Sequence, residues 1–276
     1  MADARPGLAD GGLTALTSAG RTSGAGTVRV EQIMGTAISL DLRDPGVSPA
    51  AVDAMFDHLR DIDARFSTYR ADSEISRLGR GELPPEACSP DVREVLARCE
   101  ALRALSHGYF DIRAHRSDGG LDPSGFVKGW AVEAAAAILD AAGARNYCLN
   151  AGGDIITSGE PEPGRSWRVG IRHPELPDLL ATVLETRDLA VATSGAYERG
   201  EHIVDPHTGR SPGGLLSVTV VGPRLSEADA YATGAYAMGL SGLTWIAGIA
   251  TYAGCMITTD RRRVWTPGFA DYTAAS

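Results

Sequence analysis

Residues 121–130 read Leu121-Asp122-Pro123-Ser124-Gly125-Phe126-Val127-Lys128-Gly129-Trp130, and residues 226–233 read Ser226-Glu227-Ala228-Asp229-Ala230-Tyr231-Ala232-Thr233. Neither stretch is decisive alone; the pair is. In the second, Asp229 and Thr233 stand at i and i+4, on one face of a helix. A carboxylate and a hydroxyl are two hard oxygen ligands of the kind Mg²⁺ takes, with positions left over for phosphate. In the first, an aspartate, a glycine-containing turn and a lysine stand at the entrance to another helix. Backbone groups and a cation can hold a phosphorylated ligand there. Together the two stretches point to a metal-dependent site for a nucleotide diphosphate.

The chain around them has 276 residues, enough for one large or two small domains, and its 43% hydrophobic content supports a real core. A net charge of -9 and a pI near 5.2 argue against a basic face for nucleic acid. The one dense basic run, Arg261-Arg262-Arg263, reads as a solvated turn rather than a binding patch. Cys88, Cys99, Cys148 and Cys255 stand far apart with no Cys-x-x-Cys pair, so they read as buried thiols in a reducing compartment. Residues 1–27 are rich in Gly, Ala, Ser and Thr. They show no charged segment leading into an apolar one and no cysteine for a lipid anchor, so a disordered tail without a signal peptide is expected. No later run approaches the ~18 apolar residues of a membrane span. Residues 28–276 are then one folded domain.

From Val28 the pattern changes. Val28, Val30, Ile38, Leu40 and Leu42 alternate with other residues and predict strands, with an irregularity at Met34-Gly35-Thr36. Val52, Met55, Phe56, Leu59, Ile62 and Phe66 keep a helical period, and a polar loop is expected from Phe66 to Glu74. A second helix is predicted from Ser89-Pro90 to about Ser106, and an Ala-rich one over 129–142, ending at Gly143. The second half reads mainly as strands: 147–150, 167–171, 181–185, 190–192, 218–221 and, last, 255–258. Helices are expected over 226–239 and 241–252. Runs of strands with segregated helix clusters argue for α+β over a regular βαβ array.

The landmarks come in a fixed order: Phe66-Ser-Thr-Tyr69-Arg, Asp72-Ser-Glu74-Ile-Ser-Arg77, Gly108-Tyr109-Phe110-Asp111 and Asp122 through Gly129. Then follow Asn150-Ala-Gly-Gly-Asp154, Thr193-Ser194-Gly195, His202-Ile-Val204-Asp205-Pro206-His-Thr208-Gly209 and Ala228-Asp229 through Thr233. In this order the chain resembles the FAD:protein FMN transferase (ApbE-like flavin transferase) family, from Met34 to about Met256. The resemblance implies an α+β, ApbE-like flavin transferase fold with mixed sheets, segregated helices and a cleft for FAD. It also implies an activity: FAD is cleaved at its pyrophosphate, FMN passes to a Ser or Thr hydroxyl of an acceptor protein as a phosphoester, and AMP leaves. The acceptor motif of such proteins looks like Asp-x-x-(Ser/Thr)-Gly-Ala-(Ser/Thr). Thr22-Ser-Gly-Ala-Gly-Thr27 comes near it but lacks the Asp and has an extra Gly, so self-modification is not expected.

Each site residue has a plainer reading beside the one the resemblance implies. Asp229, three positions after Ser226, can be a capping-box carboxylate, and Thr233 a helix-packing residue. The resemblance makes both ligands of Mg²⁺, with the backbone carbonyl of Gly125, otherwise a turn glycine, as a third. Asp122 is a helix cap by default; in the family its counterpart contacts FAD, as does that of Lys128, which can counter pyrophosphate charge or hydrogen-bond the flavin. Met34 and Tyr69, ordinary core and loop residues by themselves, become flavin or adenine contacts. Tyr109, Phe110 and Asp111 align with the nucleotide-binding segment, and Val204 matches a FAD-contacting position. Gly152-Gly153-Asp154 can be an anion-binding nest or a tight turn with positive φ. Thr193-Ser194-Gly195 can be a strand end.

An unpaired histidine is usually structural. His202, in a motif that the family places near the transfer site, is the candidate general base, able to take the acceptor's proton near neutral pH. Asp205 orients its loop, caps a turn before Pro206, or assists the same chemistry. Two departures from the family pattern stand out. Ala232 replaces an acid found in some relatives, and only residues 112–120 separate Asp111 from Leu121, where many relatives carry a longer insertion. With no export signal read, a cytoplasmic protein is expected. Three functions are weighed: FMN transferase, FAD pyrophosphatase yielding FMN and AMP, and a non-catalytic flavin-binding module.

Overall fold

Thr27–Ile33 (β1) and Thr36–Leu42 (β2) pair antiparallel, from Thr27↔Leu42 to Ile33↔Thr36. Only Met34 and Gly35 are left for the turn, and both have positive φ, 55° and 71°. A two-residue turn of that hand matches the twist of the flanking strands. This is the irregularity that the sequence marks at Met34-Gly35-Thr36. The protein is described from a computed structural model, in which residues 26–114, 119–176, 178–195 and 203–274 are described. The tail expected over 1–27 falls outside them except for Gly26 and Thr27, and Thr27 already belongs to β1.

Among the described residues four α-helices and a 3-10 turn at Pro85–Ala87 separate β2 from the next strand. Pro49–Phe66 (α1) has Ser48 as its cap, whose hydroxyl accepts from the Ala51 amide, and it buries the six apolar residues that its sequence period picks out. Glu74–Gly79 (α2) is a short helix capped by Ser73 at the end of the expected polar loop. Pro90–Leu105 (α3) follows its prediction closely. Ser124–Ala141 (α4) starts five residues before the expected 129. The reason is local: Asp122 Oδ1 accepts from the Ser124 amide at 3.1 Å, so the Pro-Ser-Gly stretch enters the helix directly rather than forming a turn before it.

The rest is mostly strand: Tyr147–Ala151 (β3), Asp154–Ser158 (β4), Trp167–Arg172 (β5), Leu180–Thr186 (β6), Leu189–Gly195 (β7) and Leu215–Gly222 (β8). Leu225–Ala237 (α5) and Gly242–Ala247 (α6) come next, then Ala253–Thr258 (β9) and Arg263–Trp265 (β10). α6 is half the length expected over 241–252, because a 3-10 turn at Gly239–Ser241 precedes it and Gly248 ends it. The sequence reading also missed β10, three residues beyond the Arg261 turn.

Eight strands form one sheet in the order β1-β2-β3-β4-β7-β8-β9-β10, and β5 pairs with β6 separately. Every strand pair among the described residues is antiparallel, which corrects the expectation of mixed sheets. Neighbouring residues point to opposite faces, and at β7 and β8 both faces are covered. Ala190, Ala192, Val218 and Val220 join the core under the helices, while Val191 and Val221 pack with Val169, Ile171 and Leu184 of the β5–β6 hairpin and with Phe269. All four cysteines are buried and free. Burial pushes Cys99 and Cys148 up to about 12 and Cys255 to about 11, so these thiols stay protonated and inert near neutral pH. The Arg261–Arg263 run is spent on local partners: Arg261 on Glu175, Arg262 on Asp260 and Arg263 on the Ala181 carbonyl.

The β2 exit is tied to the β3 entrance by one carboxylate. Asp44 accepts from the backbone amides of Arg145 and Asn146, both at 2.7 Å, and from Asn146 Nδ2 at 2.9 Å. Burial alone would raise the Asp44 carboxyl, but these donors hold it below its ordinary value. A depressed folded pKa means stability that is present above the unfolded value of about 3.9 and lost as pH falls through the folded value. Asp44→Ala should therefore cost about 1.5–3 kcal/mol near neutral pH. The gap between variant and wild type in urea titrations should narrow once the pH drops below about 4.

Candidate functional site

α4 and α5 lie against each other with almost no side chain between them. A Cβ on Gly129 would meet the Leu225 carbonyl oxygen at 2.6 Å, and one on Gly125 would meet Thr233 Oγ1 at 2.9 Å. Glycine at 125 and 129 is what lets the first turns of α4 reach the middle of α5. Asp229 and Thr233 are both buried and both face that contact. Asp229 Oδ2 accepts from the Gly129 amide at 3.2 Å. In a regular helix that amide belongs to the Gly125 carbonyl, so Asp229 competes for the donor and favours a carbonyl able to serve another partner.

The capping-box reading of Asp229 is not what the fold uses. Arg224 occupies the cap position of α5 without a side-chain cap bond. Glu133 of α4 does that work instead, accepting from the Ser226 amide at 3.2 Å and the Ser226 hydroxyl at 2.9 Å. Thr233 Oγ1 lies 3.2 Å from Ser194 Oγ at the end of β7, so its hydroxyl is held from the sheet side. Gly125, Asp229 and Thr233 thus all lie at the α4–α5 contact. No cluster of three His, Cys, Asp or Glu side chains suited to a metal occurs among the described residues. An ion at this contact would rest on one carboxylate and neutral oxygens, leaving positions for phosphate and water, as Mg²⁺ favours.

The turns at one end of the sheet complete the surroundings. Gly152 and Gly153 join β3 to β4 with φ of 63° and 104°. The Gly152 amide donates to the Ala37 carbonyl and the Gly153 amide to Asn150 Oδ1. With both donors spent, this is the tight turn and not the anion-binding nest. A Cβ on Gly152 would strike Thr36 Oγ1 at 2.3 Å, so this turn sits directly beside the Met34-Gly35 turn. It delivers Asp154, which forms an ion pair with Lys128 of α4 at 2.7 Å.

The segment between α3 and α4 closes the other side. Phe110 is buried, its amide bonded to Ser106 Oγ at 2.9 Å, and its Cβ lies beside Gly234 of α5, one residue past Thr233. Asp111 Oδ1 caps its own turn by accepting from Arg113 N at 2.9 Å. The Asp122 amide donates to the Ile112 carbonyl at 2.7 Å, which ties the backbone after Asp111 to the entrance of α4. Tyr109 packs edge-on against His207, and His207 Nε2 lies 3.1 Å from the His107 carbonyl. That contact docks the stretch around His207 onto the Tyr109 turn. Asp205 caps this loop, accepting from the His207 amide at 2.9 Å and the Thr208 hydroxyl at 3.1 Å.

Met34, Tyr109, Phe110, Asp122, Gly125, Lys128, Asp229 and Thr233 are thus linked through α4, α5 and the turns beside them. Val204 is half-buried at the start of the docked loop. Tyr69 is 91% exposed, in the loop between α1 and α2, and no contact ties it to the others. His202 lies outside the described residues. Sequence reasoning missed Asp154 as the partner of Lys128, Ser194 as the partner of Thr233, and His207 as the dock of the loop. The first had a signal: Lys128 is the only lysine among the chain's 26 Lys and Arg residues.

Comparison with known proteins gives a consistent picture. The model of the ApbE family matches residues 34–116 and 112–255. A FAD:protein FMN transferase of Vibrio cholerae is 28% identical over 265 residues, covering 75% of this chain and 79% of that protein. One of Rhodobacter capsulatus is 35% identical over 162 residues, 55% of this chain but only 31% of that longer protein. The solved flavin transferase ApbE from Vibrio cholerae superposes with a TM-score of 0.79 at 24% identity, over 90% of this chain and 99% of that one.

The helix contact makes a direct prediction. Gly129→Ala should destabilise the protein despite alanine's better helix propensity. The propensity gain is about 1 kcal/mol, and the forced separation of α4 and α5 costs about 1–3 kcal/mol. Denaturant titration should show a net loss; an unchanged midpoint would mean that the two helices part without penalty.

Proposed function

The chain belongs to the ApbE family, and we propose that it is a Mg²⁺-dependent FAD:protein FMN transferase. It moves FMN from FAD to a Ser or Thr hydroxyl of an acceptor protein and releases AMP. The relatives that it matches across three quarters of its length are named FAD:protein FMN transferases, which supports the flavin-transfer part of this reading. The observation that carries the reading is the meeting of Gly125, Asp229 and Thr233 at the α4–α5 contact, one helical turn from Lys128. Hard oxygens on one side and an ammonium on the other suit a pyrophosphate.

In this reading Gly125 carbonyl, Asp229 and Thr233 hold Mg²⁺, which when bound neutralises pyrophosphate charge and charge developing on the departing AMP. Lys128 adds a fixed positive charge beside the same phosphates. Tyr109, Phe110, Asp111 and Asp122 line the nucleotide, Met34 and Tyr69 the flavin or adenine, and Val204 offers its backbone. His202 takes the proton from the acceptor hydroxyl as its oxygen bonds to the FMN phosphorus and the bond from that phosphorus to the AMP oxygen breaks. The acceptor carries an Asp-x-x-(Ser/Thr)-Gly-Ala-(Ser/Thr)-like segment. No described helix is long and apolar enough to cross a membrane; we place the protein in the cytoplasm, with an acceptor there.

Incubation with FAD, Mg²⁺ and a peptide bearing the acceptor motif, followed by intact-mass measurement, tests this. The expected result is a peptide gaining one FMN phosphoester and stoichiometric AMP. AMP without peptide mass gain would make the protein a FAD pyrophosphatase, and bound FAD without turnover a flavin-binding module. His202→Ala should lower transfer by about 10²–10⁴-fold with FAD affinity little changed. Asp229→Asn, which keeps shape and removes charge, should abolish most metal-dependent turnover; a variant turning over normally would remove Asp229 from the metal site.

A further inference from the structure

Lys128 is the one lysine in a chain whose every other long cation is arginine. Among the described residues the surface ion pairs are made by arginine, with Asp53, Asp57, Asp72, Glu82, Glu100, Glu162, Glu175 and Asp260. The exception is in the interior. Lys128 has 16% of its side chain exposed and Asp154 has 1%. Their 2.7 Å approach is an ion contact without hydrogen-bond alignment at Asp154 Oδ2.

Such a pair is a poor device for stability, because desolvating two charges offsets most of their attraction. Yet the fold goes to some length to build it. The Gly152-Gly153 turn, with its two positive φ angles, brings Asp154 to the start of β4. The last backbone pairing between β4 and β7 on this side is Ile155↔Val191. Just beyond it, Asp154 Oδ1 accepts from the Thr193 amide at 3.2 Å, so the carboxylate replaces a rung of the sheet ladder. The next residue of β7, Ser194, holds Thr233. Adjacent residues of one strand thus brace an ammonium through Asp154 and a hydroxyl directly.

We propose that Asp154 is a positioning residue for the transfer reaction: anchored on Thr193, it fixes the Lys128 ammonium in the place where the pyrophosphate of a flavin dinucleotide is received. The proposal rests on the functional reading above for what Lys128 meets, and on the structure for what holds it. A compact ammonium has no fork geometry of its own, so its direction must come from a partner. A misplacement of about 1 Å at a reacting centre can cost on the order of 10²-fold in rate.

The lone lysine makes the test selective, since an acylating reagent can label only Lys128 and the chain's terminal amine, which peptide mass separates. In the wild-type protein Lys128 should label slowly, and FAD should slow it further. Asp154→Asn keeps the volume and the acceptor for Thr193. It should raise labelling of Lys128 at least tenfold and lower kcat for FAD cleavage at least tenfold, with the FAD Kd within about threefold. In a Lys128→Gln background, Asp154→Asn should cause no further loss of kcat. Unchanged labelling in Asp154→Asn, a kcat within twofold of wild type, or an equal loss in both backgrounds would each overturn the proposal. If Asp154→Asn does not fold but the neutral double variant does, the buried ammonium needed its partner and the pairing stands. A double variant that folds no better than the single overturns it. Absence of FAD binding and cleavage in the wild type would sink the functional reading instead, while the labelling arm still decides whether Asp154 holds Lys128.

Discussion

The close approach of α4 to α5 is the constraint on which the site depends. Glycines at 125 and 129 leave no Cβ at the two points where the helices meet, and the nearest atoms across the gap are the Thr233 hydroxyl and the Leu225 carbonyl. Everything chemical follows from that distance. It lets Asp229 reach the amide of the neighbouring helix rather than that of its own. It puts a helix entrance beside a carboxylate and a hydroxyl one turn apart. It also brings Glu133 of α4 within reach of the first turn of α5, where Arg224 makes no side-chain cap bond. Larger residues at 125 or 129 would separate the oxygens before changing any of them.

The sheet supplies a second, stiffer frame. Its strands end in two abutting turns, Met34-Gly35 and Gly152-Gly153, and four residues here hold positive φ. A methionine in the left-handed region is uncommon, and the turn length leaves it no alternative. Strain of this kind persists where the surroundings over-determine it, and here Thr36 and Gly152 lock the turns together. Helices bring the donor oxygens and the ammonium; the sheet end fixes their directions through Thr193, Ser194 and Asp154.

Local signals made much of this legible in the sequence. The 3–4 spacing in α1 and the Pro90 start of α3 define those elements without help from the rest of the chain. Asp229 and Thr233 were readable as one face because a helix fixes the geometry of i and i+4. What stayed hidden was tertiary. Ser226 followed by Asp229 has the form of a cap, but a glutamate some 90 positions away takes the amide. Gly152-Gly153 suits a nest as well as a turn, and only the partners of its amides decide between them. The α4 start was misplaced because Pro-Ser-Gly reads as a turn until the Asp122 side chain is seen holding the first amide.

The parts of the site differ in how firmly the fold specifies them. Gly125, Lys128, Asp229 and Thr233 stand on α4 and α5, and the residues that brace them, Asp154 and Ser194, stand on β4 and β7. Asp111, Val204 and Asp205 stand on connections instead, near the Asp122–Ile112 backbone bond and near the contact of His207 with Tyr109. Connections tolerate changes in length that elements do not. The spacing between Asp111 and Leu121 can then vary without moving the α4–α5 contact.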